Sequence, residues 1–112
     1  VLTDAGEAMP VLGHNVRHNE AVVDELGGHV RAAELDWLWQ EDRQRGLLSN
    51  SRFDLAVGAD VVYTVECALA LLDTAFRFSD RLWLLQNVHR AATQEFLEAA
   101  DAAGLHLERE VV

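Results

Sequence analysis

The sequence predicts an α/β fold built on a mostly parallel sheet, and three observations carry that prediction. Strand-like and helix-like segments alternate from end to end of the 112 residues. One of them, FDLAVGADVVY, is apolar almost without a break, the pattern of a strand with helices over both faces. Between the strands, apolar residues recur at helical spacing rather than in strict alternation.

The elements follow in order. VLT before Asp4 reads as the tail of a buried strand. From Glu7 to Asn19, Met9, Leu12 and Val16 share one helical face, and Pro10 fits only in a first turn, where no backbone donor is lost. HVRAAELDW is a second strand, with Val30, Ala32 or Ala33, and Leu35 as its burial candidates. The polar stretch from Leu38 to Arg52 reads as a loop with at most a helical turn. FDLAVGADVVY is the third strand, followed by a helix in which Val65, Leu69, Leu72 and Phe76 recur. RLWLLQNV is a fourth strand. Phe96, Leu97 and Ala100 mark a last helix, closed by Gly104 in a left-handed cap. LHLEREVV alternates as a strand with one solvated face should. Residues 1–112 are read as one domain, the C-terminal part of a longer one, because the chain opens on Val1 inside a strand pattern.

Composition narrows the chemistry. Half the residues are apolar and a quarter charged, which is globular rather than disordered. No apolar run has the length of a membrane span and no signal peptide opens the chain, so no membrane partner is expected. The net charge of −10 argues against a nucleic-acid surface, which needs clustered cations, and suits a cationic partner. All nine basic residues are arginine, which removes the lysine-bearing phosphate loop, Schiff-base chemistry and a lysine general base. It also removes a phosphoacceptor receiver domain, which needs a lysine at a late strand end. The single cysteine, Cys67, fits a reducing compartment and reads as an apolar filler of a helix; a cytoplasmic location is expected, with the nucleus also open.

Ligands of an open parallel sheet bind beyond the carboxyl ends of its strands. Asp4, the Asp36–Trp37 pair, and Asp60 with Tyr63 close behind fall at such ends. A carboxylate there matches the two hydroxyls of a ribose, an indole offers a flat face to a purine, and Asp60 suits an ammonium or a cofactor amine. Singly, each has a plainer reading as a helix cap, turn former or core residue; together they favour a nucleoside-type ligand. His14 and His18 stand four apart on one helix but lack a third ligand nearby, so no metal site is expected. Ser49, Ser51 and Ser79 have no elbow motif, and no nucleophile stands out.

Taken together, LTDAGEAMPVLGHNVRHN, AAELDW and FDLAVGADVVY resemble the seven-β-strand family of protein-lysine methyltransferases, which includes the elongation-factor and chaperone lysine methyltransferases. LLQNVHRAATQEFLEAADAAGL resembles the late strand and helix of its elongation-factor members, so the likeness covers almost the whole chain. It implies a Rossmann-like methyltransferase fold, S-adenosyl-L-methionine as cofactor and methyl transfer to a lysine of a protein such as a translation factor or chaperone. Asp4 then corresponds to the ribose-binding acid, Trp37 to the tryptophan by the adenine and Ala59 to the small residue lining the cofactor pocket. DVVY, Asp60 to Tyr63, matches the family's DxxY motif at the catalytic site: Asp60 positions cofactor and amine, and Tyr63 shapes the lysine channel. His89 and Arg90 fall near a late-strand basic position whose role stays open.

The family's first strand and glycine-rich loop have no counterpart after Val1, and its last hairpin is incomplete at Val112. A sheet of order 3-2-1-4-5-7-6 would lack its central strand and leave two buried edges, so the 112-residue chain is expected to fold poorly alone and bind cofactor weakly. Two alternatives remain beside the lysine reading: methylation of a small molecule, and a non-catalytic interaction module that has lost its cofactor.

Overall fold

The computed structural model describes residues 1–110, and these form two compact units, 1–51 and 52–110. In the first, β1 (Leu2–Asp4) pairs in parallel with β2 (Ala32–Glu34), with Asp4 opposite Glu34. A 3-10 turn at Gly6–Ala8 leads into α1 (Met9–Glu25), where Pro10 lies in the first turn as its lost donor demands. The helix runs six residues beyond Asn19, and Met9, Leu12, Val16 and Val23 are its half-buried face. Strand β2 covers only three residues of the expected HVRAAELDW, and Leu35 is its one fully buried burial candidate.

The polar stretch expected as loop holds a two-turn helix, α2 (Glu41–Leu47). Its charges favour it, Glu41 and Asp42 in the first turn and Arg45 in the last, each at the favourable end of the helix dipole, and burial of Gln44 and Leu48 anchors it. Arg45 Nε also donates to Glu41 Oε1 at 2.6 Å across one turn.

The second unit is β3 (Ala56–Ala59), α3 (Val65–Phe78), β4 (Leu82–Leu85) and α4 (Ala91–Ala102). Strands β3 and β4 are parallel, in a register that sets Val57 opposite Trp83 and Ala59 opposite Leu85. The expectation of burial on both faces fails here. Ala56, Gly58, Leu82 and Leu84 are half-buried, whereas Val57, Ala59, Trp83 and Leu85 are exposed. Helices α3 and α4 pack on each other through small residues: Ala68, Thr74 and Ala75 from α3, and Ala92, Thr93 and Ala100 from α4, with Leu71, Phe78 and Phe96 filling the core. The buried stripe of α3 is therefore not the expected one, since Val65 and Leu69 are exposed. Both stripes are apolar, and the alanine-rich one admits a closer helix neighbour.

Gly104 has φ +74° and closes α4 as expected. The strand expected from LHLEREVV is absent over residues 105–110, which have no strand partner among the described residues; Val111 and Val112 lie outside them. The described strands form two separate two-stranded parallel sheets, β1–β2 and β3–β4. The architecture is α/β. No helix among the described residues is long and apolar enough to cross a membrane.

Candidate functional site

In the first unit, Asp4 ends β1 and stays exposed. Its Oδ1 accepts from the Ala5 amide at 2.8 Å, and its carbonyl accepts from the Leu35 amide at 2.9 Å, which fixes it beside the end of β2. Asp36 Oδ1 accepts from the Leu38 amide at 2.9 Å, making a tight turn that carries Trp37. The turn is held from behind by fully buried Gln44, whose Nε2 donates to the carbonyls of Asp36 at 3.0 Å and Trp37 at 3.2 Å. Asp4 and half-buried Trp37 thus stand on a braced strand-end segment, at the carboxyl ends of neighbouring strands. Next to it, the Arg43 guanidinium lies 3.5 Å from the ring centroid of Trp39.

In the second unit, β3 stops at Ala59 because Asp60 turns the chain: its φ is +51°, a left-handed conformation that aspartate tolerates better than most residues. The strand expected through Tyr63 therefore ends four residues early. The Asp60 amide still donates to the Leu85 carbonyl at 2.7 Å, which seats the turn on the end of β4. Gly58, two residues before it, is closely packed: a Cβ there would lie 3.0 Å from a Val61 methyl and 3.2 Å from a Leu84 methyl, so those side chains would have to shift by a few tenths of an ångström. Fully buried Val62 is clasped by Gln86: its amide donates to Gln86 Oε1 at 3.2 Å and its carbonyl accepts from Gln86 Nε2 at 3.0 Å. Thr64 then caps α3, its Oγ1 accepting from the Cys67 amide at 3.1 Å.

Arg90 completes the cluster. Its Nε donates to Asp60 Oδ1 at 2.7 Å and its Nη2 to Oδ2 at 2.6 Å, a two-point pairing that matches guanidinium to carboxylate. The same guanidinium carbon lies 4.4 Å from the ring centroid of Tyr63. Hydrogen bonding from Arg90 holds the Asp60 carboxyl below its ordinary value of 3.8; partial desolvation works against this, and the charge of Arg90 and a backbone group of Asn87 add to it. The Arg90 guanidinium is raised in turn, first by its bond to Asp60.

Asp60 and Tyr63 are thereby joined through one cation, with Ala59 directly before them. Asp4 and Trp37 belong to the other unit. Reading the sequence missed Gln86 and Gln44. Gln86 carried a usable signal, a polar residue just past the apolar LWLL, whereas Gln44 sits unmarked in a charged stretch. His14 and His18 stack with centroids 6.1 Å apart, and no group of three or more His, Cys, Asp or Glu among the described residues is placed to hold a metal ion.

Searches of curated proteins and of solved structures gave no match. A family model described as lysine methyltransferase matches residues 1–102, a span that includes every strand and α-helix of the described residues and the Asp60–Tyr63–Arg90 cluster. On that match the chain belongs to the lysine methyltransferase family.

Proposed function

We propose that the chain carries out S-adenosylmethionine-dependent methyl transfer to the side-chain amine of a lysine in a protein, in the cytoplasm or the nucleus. The observation that supports this most directly is the ionised Asp60 carboxylate beside the exposed face of Tyr63, which together already hold a cation. A carboxylate and an aromatic face are the two groups that recognise a lysine ammonium.

The cofactor residues fit the same reading. Asp4 spends one oxygen on a backbone amide and is otherwise open to a vicinal diol, and Trp37 stands on a turn fixed by Gln44. Asp4 would hold the ribose, Trp37 would lie by the adenine, and Ala59, without a side chain beyond Cβ, would leave room next to Asp60. When bound, the cofactor supplies the electrophilic methyl on a sulfonium.

The chain's own part is to bind and orient the amine, which must lose its proton before it attacks. A carboxyl held below 3.8 is too weak a base to keep a proton taken from an ammonium, whose ordinary pKa is about 10.4. Asp60 therefore acts by aligning the amine, and the proton leaves to solvent. Tyr63 shields one side of the lysine stem. The acidic surface, at net charge −10, favours approach of a basic protein segment.

Incubating the protein with methyl-labelled S-adenosylmethionine and a cell extract, then mapping the label by mass spectrometry, tests this. Label on a lysine Nε, lost in Asp60→Asn and in Tyr63→Ala, is the expected result. Label confined to small molecules, or no labelled lysine from protein shown by calorimetry to bind the cofactor, rejects it.

A further inference from the structure

We propose that Arg90 is an internal occupant of the lysine subsite: its guanidinium stands on Asp60 and Tyr63 where a substrate ammonium would stand, and it must swing off before a lysine enters. The inference rests on the reading of Asp60 and Tyr63 as the ammonium-binding groups. Both oxygens of Asp60 are engaged by Arg90, at 2.7 and 2.6 Å, and the Tyr63 ring is covered by the same guanidinium at 4.4 Å. A second cation would thus meet a carboxylate whose two oxygens each already accept from Arg90 and a ring face covered by the same like charge, which opposes its entry.

The arrangement leaves a route for exchange. The side chains of Arg90 and Asp60 are 35 % and 48 % exposed, and Tyr63 is 61 % exposed, so water reaches the pair and can replace its contacts, although its two-point geometry makes it stronger than a single surface ion pair. The backbone around it does not depend on the contact. Asp60 is tied to Leu85, Val62 to Gln86, and the Arg90 amide donates to the Asn87 carbonyl at 3.2 Å. Arg90 precedes α4 in an extended conformation, φ −71° and ψ 132°, so its long side chain can turn away without unwinding the helix. An internal cation of this kind discriminates among substrates. A ligand that offers only an ammonium must displace Arg90, whereas one that also brings an acidic group to receive the freed guanidinium is favoured.

A clamp and an occupant predict opposite effects when Arg90 is neutralised. If Arg90 served to hold Asp60 in place, its loss would weaken cation binding. As an occupant, its loss removes a competitor, and a pair closed three-quarters to nine-tenths of the time gives roughly four- to tenfold tighter binding when abolished. The experiment titrates N-α-acetyl-lysine methylamide into the protein, its Arg90→Gln and Arg90→Lys variants, and Asp60→Asn, followed by NMR shifts. In the unmutated protein the Arg90 Nε–H resonance is followed in the same titration.

Arg90→Gln binding more tightly than the unmutated protein, Arg90→Lys falling between them, and the Nε–H losing its protection as the probe saturates together support the proposal. Equal or weaker binding by Arg90→Gln, with Asp60→Asn still abolishing it, overturns the internal occupant and leaves the lysine subsite standing. An Nε–H that keeps its protection at probe saturation overturns it as well, without reference to any variant. Absence of binding by both the unmutated protein and Arg90→Gln overturns the proposal and the subsite reading together.

Discussion

Replacing Gln86 by methionine isolates what holds the Asp60–Tyr63 segment in place. The substitution keeps the length of the side chain and removes both of its partners for Val62, the acceptor at 3.2 Å and the donor at 3.0 Å. Val62 is fully buried, so its amide and carbonyl lose their hydrogen bonds without free access to water. Each buried group left unpaired costs about 1–3 kcal/mol. Gln86 itself is only half-buried, which lets water reach the gap in part and places the pair at the low end, about 2–3 kcal/mol in total. With a urea slope of about 1.5 kcal/mol per molar, the unfolding midpoint should fall by roughly 1.3–2 M at unchanged slope. Leu85→Ala, one residue earlier and on the exposed face of β4, is the control and should stay within about 0.5 kcal/mol. A Gln86→Met midpoint indistinguishable from that of the Leu85 control would refute the clasp as the anchor of this segment.

Two further outcomes follow from the same segment. Thr64→Ala removes the acceptor for the Cys67 amide at the start of α3 and should cost about 1 kcal/mol by chemical denaturation, while Thr64→Ser should restore most of it. The pH response is set by Asp60: its folded carboxyl lies below the ordinary 3.8, so the stability its ionised form confers is complete above that value and is lost as pH falls through the folded one. The carboxyl carbon of Asp60 should therefore titrate below its ordinary midpoint in a carbon-detected NMR series, and in Arg90→Gln the midpoint should move back up; no movement would mean that Arg90 is not the cause.

Much of the fold was legible because it depends on periodicity and on single residues with narrow conformational roles. Pro10 placed the start of α1, and Met9, Leu12 and Val16 placed its inner face. Gly104 placed the end of α4 through its positive φ. What failed did so where two patterns competed. Val65, Leu69, Leu72 and Phe76 form a good apolar stripe, but Ala68, Leu71, Ala75 and Phe78 form another on the same helix, and packing of α4 against alanines selects the second. In residues 38–52 the helix α2 combines charge placement, Glu41 and Asp42 before Arg45, with burial of a polar residue, Gln44, and an apolar search passes over both. The alternation of LHLEREVV is real, but alternation supplies only a face; a strand needs a neighbour to receive its backbone bonds, and residues 105–110 have none among the described residues.

The candidate site divides along a similar line, and the division bears on how it works. Asp60 and Tyr63 could be picked from the sequence because they follow an apolar strand, where a parallel sheet presents its ligands. The partners of this segment lie far along the chain, Gln86 24 residues from Val62 and Arg90 30 residues from Asp60, distances no local pattern spans. These two partners do different things. Gln86, with Leu85 and the Thr64 cap, fastens the backbone of residues 60–64 through peptide groups, and those bonds are indifferent to what the side chains of Asp60 and Tyr63 hold. Arg90 bonds the Asp60 carboxylate and covers the Tyr63 ring, contacts made with side chains. On the proposed reading, a carboxylate and a ring whose backbone is fastened independently, and whose side chains are paired with the half-buried Arg90, would be a subsite carrying an exchangeable occupant. Had the roles been reversed, with Arg90 bonded to the backbone and Gln86 to the carboxylate, an incoming ammonium would have to unfold the turn in order to bind.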